Sequence, residues 1–194
     1  MKTHRAFSIA VALVFFAGLV AWTIGPTTAL AAGTTFSGQA TVVKGTVAGI
    51  PVGPLADTGP ISPSGEARDA TLLEYPDGPI DPTNGALKAE VLHAAVVAGG
   101  DSSSAEASVA NLALVAAGQS IAADFLMARA SATCNGSSAT ISGSSEIARL
   151  TLNGQPIVVT GAVNQTIVLP GLGQIVINEQ KTGSSASASE GDIT

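Results

Sequence analysis

The chain has 194 residues, and its composition sets the first limits on its function. It carries 14 acidic residues against 8 basic ones, a formal net charge of −6, and only 4% of its residues are aromatic. An acidic chain is repelled by nucleic acid and by anionic lipid surfaces, and scarce aromatic residues leave few platforms for stacking bases or sugar rings. The composition therefore argues against a nucleic-acid-binding protein.

The first 32 residues have the features of a secretory signal peptide. Basic residues stand at positions 2 and 5, residues 6–24 form an apolar run, and Ala29-Leu30-Ala31 is a small-residue cleavage motif. We predict a signal helix over residues 1–32, with cleavage after Ala31 or Ala32. An uncleaved membrane anchor is the alternative, because the apolar run approaches the ~20 residues that a membrane span requires.

Cleavage would leave an exported, more acidic chain without a membrane span. The leader contains two of the 8 basic residues and none of the 14 acidic ones, so the mature net charge is about −8. The remaining ~160 residues suffice for one domain whose core is built from Val, Ile, Leu and Ala. We predict a single all-β domain over residues 33–183, followed at 184–194 by the start of a further strand or a disordered tail.

The mature sequence reads as strands separated by turn residues. Strand-like segments occupy residues 35–46, 66–73, 104–115, 162–169 and 174–179, and a loop rich in Pro and Gly occupies 75–85. Residues 87–99 and 119–134 are rich in Ala and admit a helix by propensity, but their β-branched residues and Gly-rich ends favour strands. The pattern predicts an all-β, antiparallel β-sandwich or β-roll of short strands.

Residues 145–159 carry the clearest hairpin signal. Alternation places Ile147 on one side of the first strand and Leu150 on the other. Asn153-Gly154 is the pair preferred in a type I′ turn. Pro156 lacks an N–H donor, so the return strand over residues 157–159 is expected at a sheet edge, or Pro156 begins it.

A weak internal repeat links this hairpin to an upstream stretch. A Ser-rich lead with a Glu precedes Leu-x-Leu and then Gly-Gln-x-Ile at residues 102–121 and again at 142–157. A third Ser-rich lead begins at residue 184. By analogy we expect a strand to start there, and we expect the natural chain to continue beyond Thr194.

The candidate site residues give weak chemical signals. Cys134 is the single cysteine of the sequence, so in an exported protein we expect a missing or intermolecular disulfide partner. A thiol nucleophile would need His93, the one His of the mature chain, as its base, and nothing in the sequence places the two together. We predict no cofactor and no catalytic residue.

Two acidic patterns are candidates for further sites. Asp77, Asp81 and Asn84 offer oxygen ligands for Ca²⁺, but they lack the spacing of a calcium-binding loop, and solvated turn residues are the alternative. The recurring Glu106, Glu146 and Glu190 are expected to face outward from strands. A pair for glycoside cleavage would instead need a defined separation in a cleft.

Six motifs, in order, resemble the choice-of-anchor P family of bacterial secreted proteins. They are ADTGP at 56–60, KAEVLHA at 88–94, ADFLMAR at 123–129, GSSE at 143–146, LNGQPI at 152–157 and VINEQ at 176–180. The resemblance implies a surface or exported protein without an assigned activity. It also implies continuation past residue 194 with a further strand pair and a second Cys.

These observations favour an exported structural or interaction module without catalytic activity, secreted or held at the cell surface. Its expected partner is an extracellular or surface protein or glycan. The alternative is a ligand-binding β-domain for carbohydrate or for a peptide strand added at an edge. An enzyme is the third hypothesis, and it requires a pocket that joins His93 with Cys134 or pairs two carboxylates.

Overall fold

The computed structural model describes residues 34–47, 49–136, 138–169 and 173–181. Within these ranges the chain forms eleven β-strands and no helix, so the all-β prediction is confirmed. No helix among these residues is long and apolar enough to cross a membrane. The predicted signal helix with Ala31 and Ala32, and the predicted strand or tail over 184–194, lie outside the described residues.

The strands follow one another along the chain with short connections. In order they are β1 (Thr41–Val47), β2 (Ile50–Asp57), β3 (Ala67–Tyr75), β4 (Leu87–Gly99), β5 (Ser102–Ala116), β6 (Gln119–Asn135), β7 (Ser138–Ala148), β8 (Thr151–Leu152), β9 (Gln155–Pro156), β10 (Gln165–Leu169) and β11 (Gly173–Ile177).

One seven-stranded antiparallel sheet dominates the described part of the chain. Its strand order is β3-β4-β5-β6-β8-β9, and β7 also pairs with β6. Two separate antiparallel hairpins, β1-β2 and β10-β11, accompany this sheet. Every strand pairing is antiparallel, as predicted.

The central strands are long, so the prediction of short strands was wrong in this respect. β4, β5 and β6 have 13, 15 and 17 residues, and both Ala-rich segments that admitted a helix are strands. The stretch from Asn135 to Ser145 has the Ser- and Gly-rich composition typical of a turn, yet residues from Ser138 onward form β7. They form a strand because β6 supplies a complete row of backbone partners, from Asn135↔Ser138 to Phe125↔Ala148.

The core lies on one side of the large sheet, here called the inner side. Val47 and Val52 of the β1-β2 hairpin pack against Leu87 of β4. Leu92 is fully buried, in a second cluster with Val109. Burial of these aliphatic side chains supplies the main stabilisation, since each fully buried one contributes about 1.5–3 kcal/mol.

An extended segment before β1 covers the far end of the inner side. The backbone N–H of Phe36 donates to Pro63 O and that of Ile61 donates to Gly38 O, each at 3.0 Å. A Cβ on Gly38 would lie 2.9 Å from Val96 Cγ2. Gly38 therefore permits the close approach by which this segment covers the buried Val96.

The alternation of inner and outer side chains shifts by one residue in five neighbouring segments of the sheet, at the same level in each. Residues three apart in a regular strand face opposite ways, yet five such pairs face the core together. The pairs are Leu72 and Tyr75 in β3, Ala89 and Leu92 in β4, Val109 and Leu112 in β5, Ala123 and Leu126 in β6, and Ile147 near the end of β7 with Leu150 just after it. We call the residues between the members of each pair the crease.

Backbone geometry accounts for the crease in three of these places. Val91, Asn111 and Arg149 have positive φ angles of 46°, 46° and 51°, where a regular strand has negative values. The pairings Leu72↔Leu92 and Leu126↔Ile147 show that the shifts in neighbouring strands lie opposite one another. The register is therefore kept across the crease between β3 and β4, β5 and β6, and β6 and β7, whereas β4 and β5 have a local irregularity at Glu90↔Ala110 and resume their register on either side.

The hairpin prediction is confirmed in its turn and wrong in its strands. Asn153 and Gly154 have φ angles of 51° and 75°, as a type I′ turn requires, and Pro156 lies in β9 at the end of the sheet order. Ile147 and Leu150 face the same side because Arg149 interrupts the strand with its positive φ.

The predicted return strand over residues 157–159 is also wrong. β9 ends at Pro156, although Ile157 N still donates to Leu150 O at 2.9 Å. Ile157 and Val159 pack against the cluster of Ala123, Leu150 and Ile177 without strand pairing. Side-chain burial thus replaces the backbone ladder in this stretch.

We predict that Leu92→Ala lowers the free energy of unfolding by about 2–5 kcal/mol, because it leaves a cavity at a site with no solvent exposure. Val97→Ala on the same strand is the control, since Val97 is 54% exposed and its truncation should cost less than about 0.5 kcal/mol. Chemical denaturation measures both. Equal losses for the two variants would contradict the assignment of the inner side.

Candidate functional site

The side of β4–β7 opposite the core carries a patch of small polar residues. Val96 and Ala98 of β4 face inward, so Ala95 and Val97 face outward and begin the patch. We call it the serine face, with eight members: Ala95, Val97, Ser104, Glu106, Arg129, Ser131, Ser142 and Ser144. They line a shallow depression of about 580 Å³.

Strand register arranges the serine face in two straight rows. One row runs Ala95, Glu106, Arg129, Ser144, and the next runs Val97, Ser104, Ser131, Ser142. Neighbouring strands lie about 4.8 Å apart and successive rows about 6.8 Å apart. The side chains therefore form a regular grid between the crease and the turn that joins β6 to β7.

The centre of the grid is an ion pair. Arg129 Nε lies 2.6 Å from Glu106 Oε2, with side-chain exposures of 54% and 36%. An ion pair this exposed adds little to stability, because solvent screens it. Its main effect is to hold a guanidinium and a carboxylate side by side in the middle of the depression.

Hydroxyl groups surround this ion pair. Ser131 Oγ and Ser142 Oγ lie 2.8 Å apart, and Ser104, Ser142 and Ser144 are solvent-exposed. Each hydroxyl both donates and accepts a hydrogen bond. The serine face thus offers donors, acceptors and one charge of each sign on a floor of small side chains, which suits hydrogen bonding to a polar surface.

The structure does not bring His93 and Cys134 together. His93 is on the outer side in the next row, opposite Ser108, which in turn is opposite Met127. Cys134 lies seven residues beyond Met127, roughly 23 Å along β6 and two strands away from His93, and alternation puts it on the inner side. Cys134 is a half-buried free thiol whose strand partner is Ala139.

The carboxylate of Asp81 is engaged by its own loop. Asp81 Oδ1 accepts hydrogen bonds from Thr83 N at 2.8 Å and Thr83 Oγ1 at 2.7 Å, and Oδ2 accepts one from Gly85 N. The Thr83 hydroxyl is the main cause that lowers the pKa of Asp81. Asp77 and Asn84 are exposed in the same loop. Among the described residues, no group of three or more His, Cys, Asp or Glu side chains is placed to hold a metal ion.

Two of the recurring glutamates lie on the outer side, as the alternation argument expects. Glu106 pairs with Arg129, whereas Glu146 lies two strands and one row away, opposite Met127. Their Cα atoms are about 12 Å apart by strand and row spacing. The immediate neighbour of Glu106 is therefore a cation rather than a second carboxylate. Glu190 lies outside the described residues.

Sequence reasoning missed Arg129 as the partner of Glu106. The turn Ala117-Gly118, with φ angles of 48° and 78°, joins β5 to β6. Counting back equally from that turn places Glu106 opposite Arg129, so the pair was accessible from the hairpin register alone. The depression was not, because it depends on the packing of four strands.

No family model matches the chain, and no curated protein or solved structure matches it. The resemblance to the choice-of-anchor P family accordingly rests on the sequence motifs and stays a prediction.

We predict that Asp81→Ala destabilises the protein at neutral pH and has less effect in strong acid. The pKa of Asp81 is lowered on folding, so its contribution is present above the unfolded value of about 3.9 and is lost as the pH falls through the folded value. Denaturation at several pH values measures this, with Asp77→Ala as the control from the same loop.

The same two variants test the Ca²⁺ hypothesis. With the carboxylate of Asp81 satisfied internally, millimolar Ca²⁺ should leave the melting temperature of the wild type unchanged. A Ca²⁺-dependent rise that both variants abolish would instead establish a calcium site in this loop.

Proposed function

We propose that this chain is an exported structural or interaction module, secreted or held at the bacterial cell surface, that acts without catalysis. We further propose that its sheet and hairpins form a sandwich-like domain that displays the serine face. Two features support it: the signal-peptide pattern of the sequence, and the exposed outer side of the large sheet.

The observation that carries the proposal is the exposure of the serine face. Six residues of β4 are buried on the inner side, whereas hydroxyl-bearing residues on the outer side of β5–β7 are exposed. Besides Ser104, Ser142 and Ser144, these are Ser102, Thr133 and Thr140. An ordered, exposed polar grid favours contact with a polar surface, and the family resemblance points to a similar location.

Expression of the full-length gene in a bacterial host tests export. We expect the protein outside the cytoplasm, with an N-terminus at Ala32 or Gly33 by mass spectrometry, because the small-residue motif directs cleavage there. Leu13→Arg is the control, since a charge in the apolar run should block export. Wild-type protein that stays in the cytoplasm with Met1 in place would refute the proposal.

A carbohydrate-binding domain is the second candidate, favoured by the depression around Arg129 and Glu106. Hydroxyls, a guanidinium and a carboxylate are groups that hydrogen-bond to sugars, although the serine face contains no aromatic platform.

A glycan array with the exported protein tests this candidate. If it is right, Arg129→Ala reduces binding at least about tenfold, the loss expected for a hydrogen bond to a charged group. Arg149→Ala is the matched control, because that arginine is also ion-paired but lies at the crease, outside the depression. Absence of glycan binding, or equal binding by both variants, would remove the candidate.

A further inference from the structure

The outer side of the large sheet carries exposed apolar residues at the crease. Leu73 of β3 and Val91 of β4 are 75% and 54% exposed. They are direct neighbours, since the next pair in the same register is Glu74↔Glu90. Contiguous exposed apolar surface with a polar rim is a feature of protein interaction sites.

A row of paired residues runs from this position across the sheet. Consecutive strand pairings give Glu74, Glu90, Ala110, Phe125 and Ala148, one residue from each of β3 to β7. Neighbouring members lie about 4.8 Å apart. Phe125 is half-buried but packs against none of the four buried clusters of the described residues, so its ring lies on the outer side. The small Ala110 leaves a gap between this ring and the carboxylate of Glu90.

We call this surface the crease patch, and its members are Leu73, Glu74, Glu90, Val91, Ala110 and Phe125. Its acidic end has no counter-ion, because the ion pairs among the described residues involve neither Glu74 nor Glu90. Asn111 Nδ2 donates to Oε2 of Glu90 and leaves Oε1 available. Like charges directly opposite each other on neighbouring strands repel. A cation held between the two carboxylates therefore relieves this repulsion and is attracted by both of them.

Charge identifies the kind of partner that fits the crease patch. A second copy of the chain is a poor fit, because the chain is acidic, with a net charge of −6. Residues 182–194 of the same chain fit poorly as well, since they contain Glu190 and Asp192 and neither Lys nor Arg. Arg129 and Arg149, on the same side of the sheet, already form ion pairs. The cation that suits the two carboxylates therefore comes from another molecule.

We propose that the crease patch binds a basic, apolar segment of a partner protein, in which Lys or Arg alternates with aliphatic residues. One basic side chain of the segment lies over Ala110, with its cation at Glu74 and Glu90 and its stem against Phe125. Long basic side chains bury their apolar stems in this way, and an aromatic ring adds attraction for the cation. An aliphatic residue of the segment covers Leu73 and its neighbour on β4. The contact depends neither on export nor on a ligand of the serine face.

Binding of a short synthetic peptide of alternating Lys and Val tests the proposal. The peptide carries a fluorophore, and its anisotropy with purified full-length protein gives the dissociation constant. In Glu74→Gln with Glu90→Gln that constant should rise at least about tenfold, because hydrogen bonds to charged groups are lost. Asp77→Asn with Asp101→Asn is the matched control, since both residues are exposed outside the crease patch and the net charge changes equally. Its dissociation constant should stay within about twofold of the wild type.

Two further comparisons test the apolar half of the crease patch. Leu73→Ser should weaken binding about threefold or more, because an aliphatic contact is lost. Val168→Ser is its control, since Val168 is 71% exposed on β10 and lies outside the crease patch, and it should leave binding unchanged. A peptide of alternating Lys and Ser should bind the wild type at least about threefold more weakly than the Lys–Val peptide.

Three outcomes would overturn the proposal. The first is a wild type that does not bind the Lys–Val peptide at low salt, where attraction between charges is least screened. The second is an equal loss in the two double variants, because net charge alone would then attract the peptide. The third is equal binding of the Lys–Val and Lys–Ser peptides, because the apolar residues would then take no part. Circular dichroism checks that each variant is folded.

Discussion

The described sheet depends on the crease. Strands have a side-chain period of two, so a one-residue shift in a single strand would turn its remaining half inside out. Here the shift occurs at the same level in neighbouring strands, as the pairing of Val109 with Leu126 and of Leu112 with Ala123 shows. The inner residues therefore face the core on both sides of the crease. Polar contacts join the strands on its outer side: Asn111 Nδ2 donates to Glu90 Oε2 at 2.6 Å, and Arg149 pairs with Asp124.

The crease also explains why the serine face stops where it does. Between the crease and the turn that joins β6 to β7, strands β4 to β7 run side by side without interruption, and their outward residues form straight rows. On the other side of the crease β7 has ended, and the short β8 takes its place beside β6, with β9 paired to β8. A broad polar contact surface fits only the half of the sheet that contains β7.

Much of the fold was predictable because turns and alternation are local. Asn153-Gly154 identified its turn, Pro156 its edge, and the span Leu87–Gly99 is β4. The crease was not predictable, because a positive φ at Val91 or Arg149 has no signal in those residue types. β7 has no strand signal of its own, since Ser and Gly are common in turns, and only its pairing with β6 makes it a strand. The serine face required the register of four strands at once, which no single stretch encodes.

Small side chains have a physical consequence for this protein. The two largest fully buried side chains are Leu92 and Val96, so the buried clusters are modest and aromatic residues contribute little. Long ladders compensate: β5 and β6 pair from Ser102↔Thr133 to Ala116↔Gln119, and these backbone bonds form whatever the side chains are. Outer residues of such a ladder are therefore free to be Ser, Thr or Ala without loss of the fold. The same freedom accounts for β7, whose eleven residues are mostly Ser, Ala and Gly yet pair with β6 along their whole length.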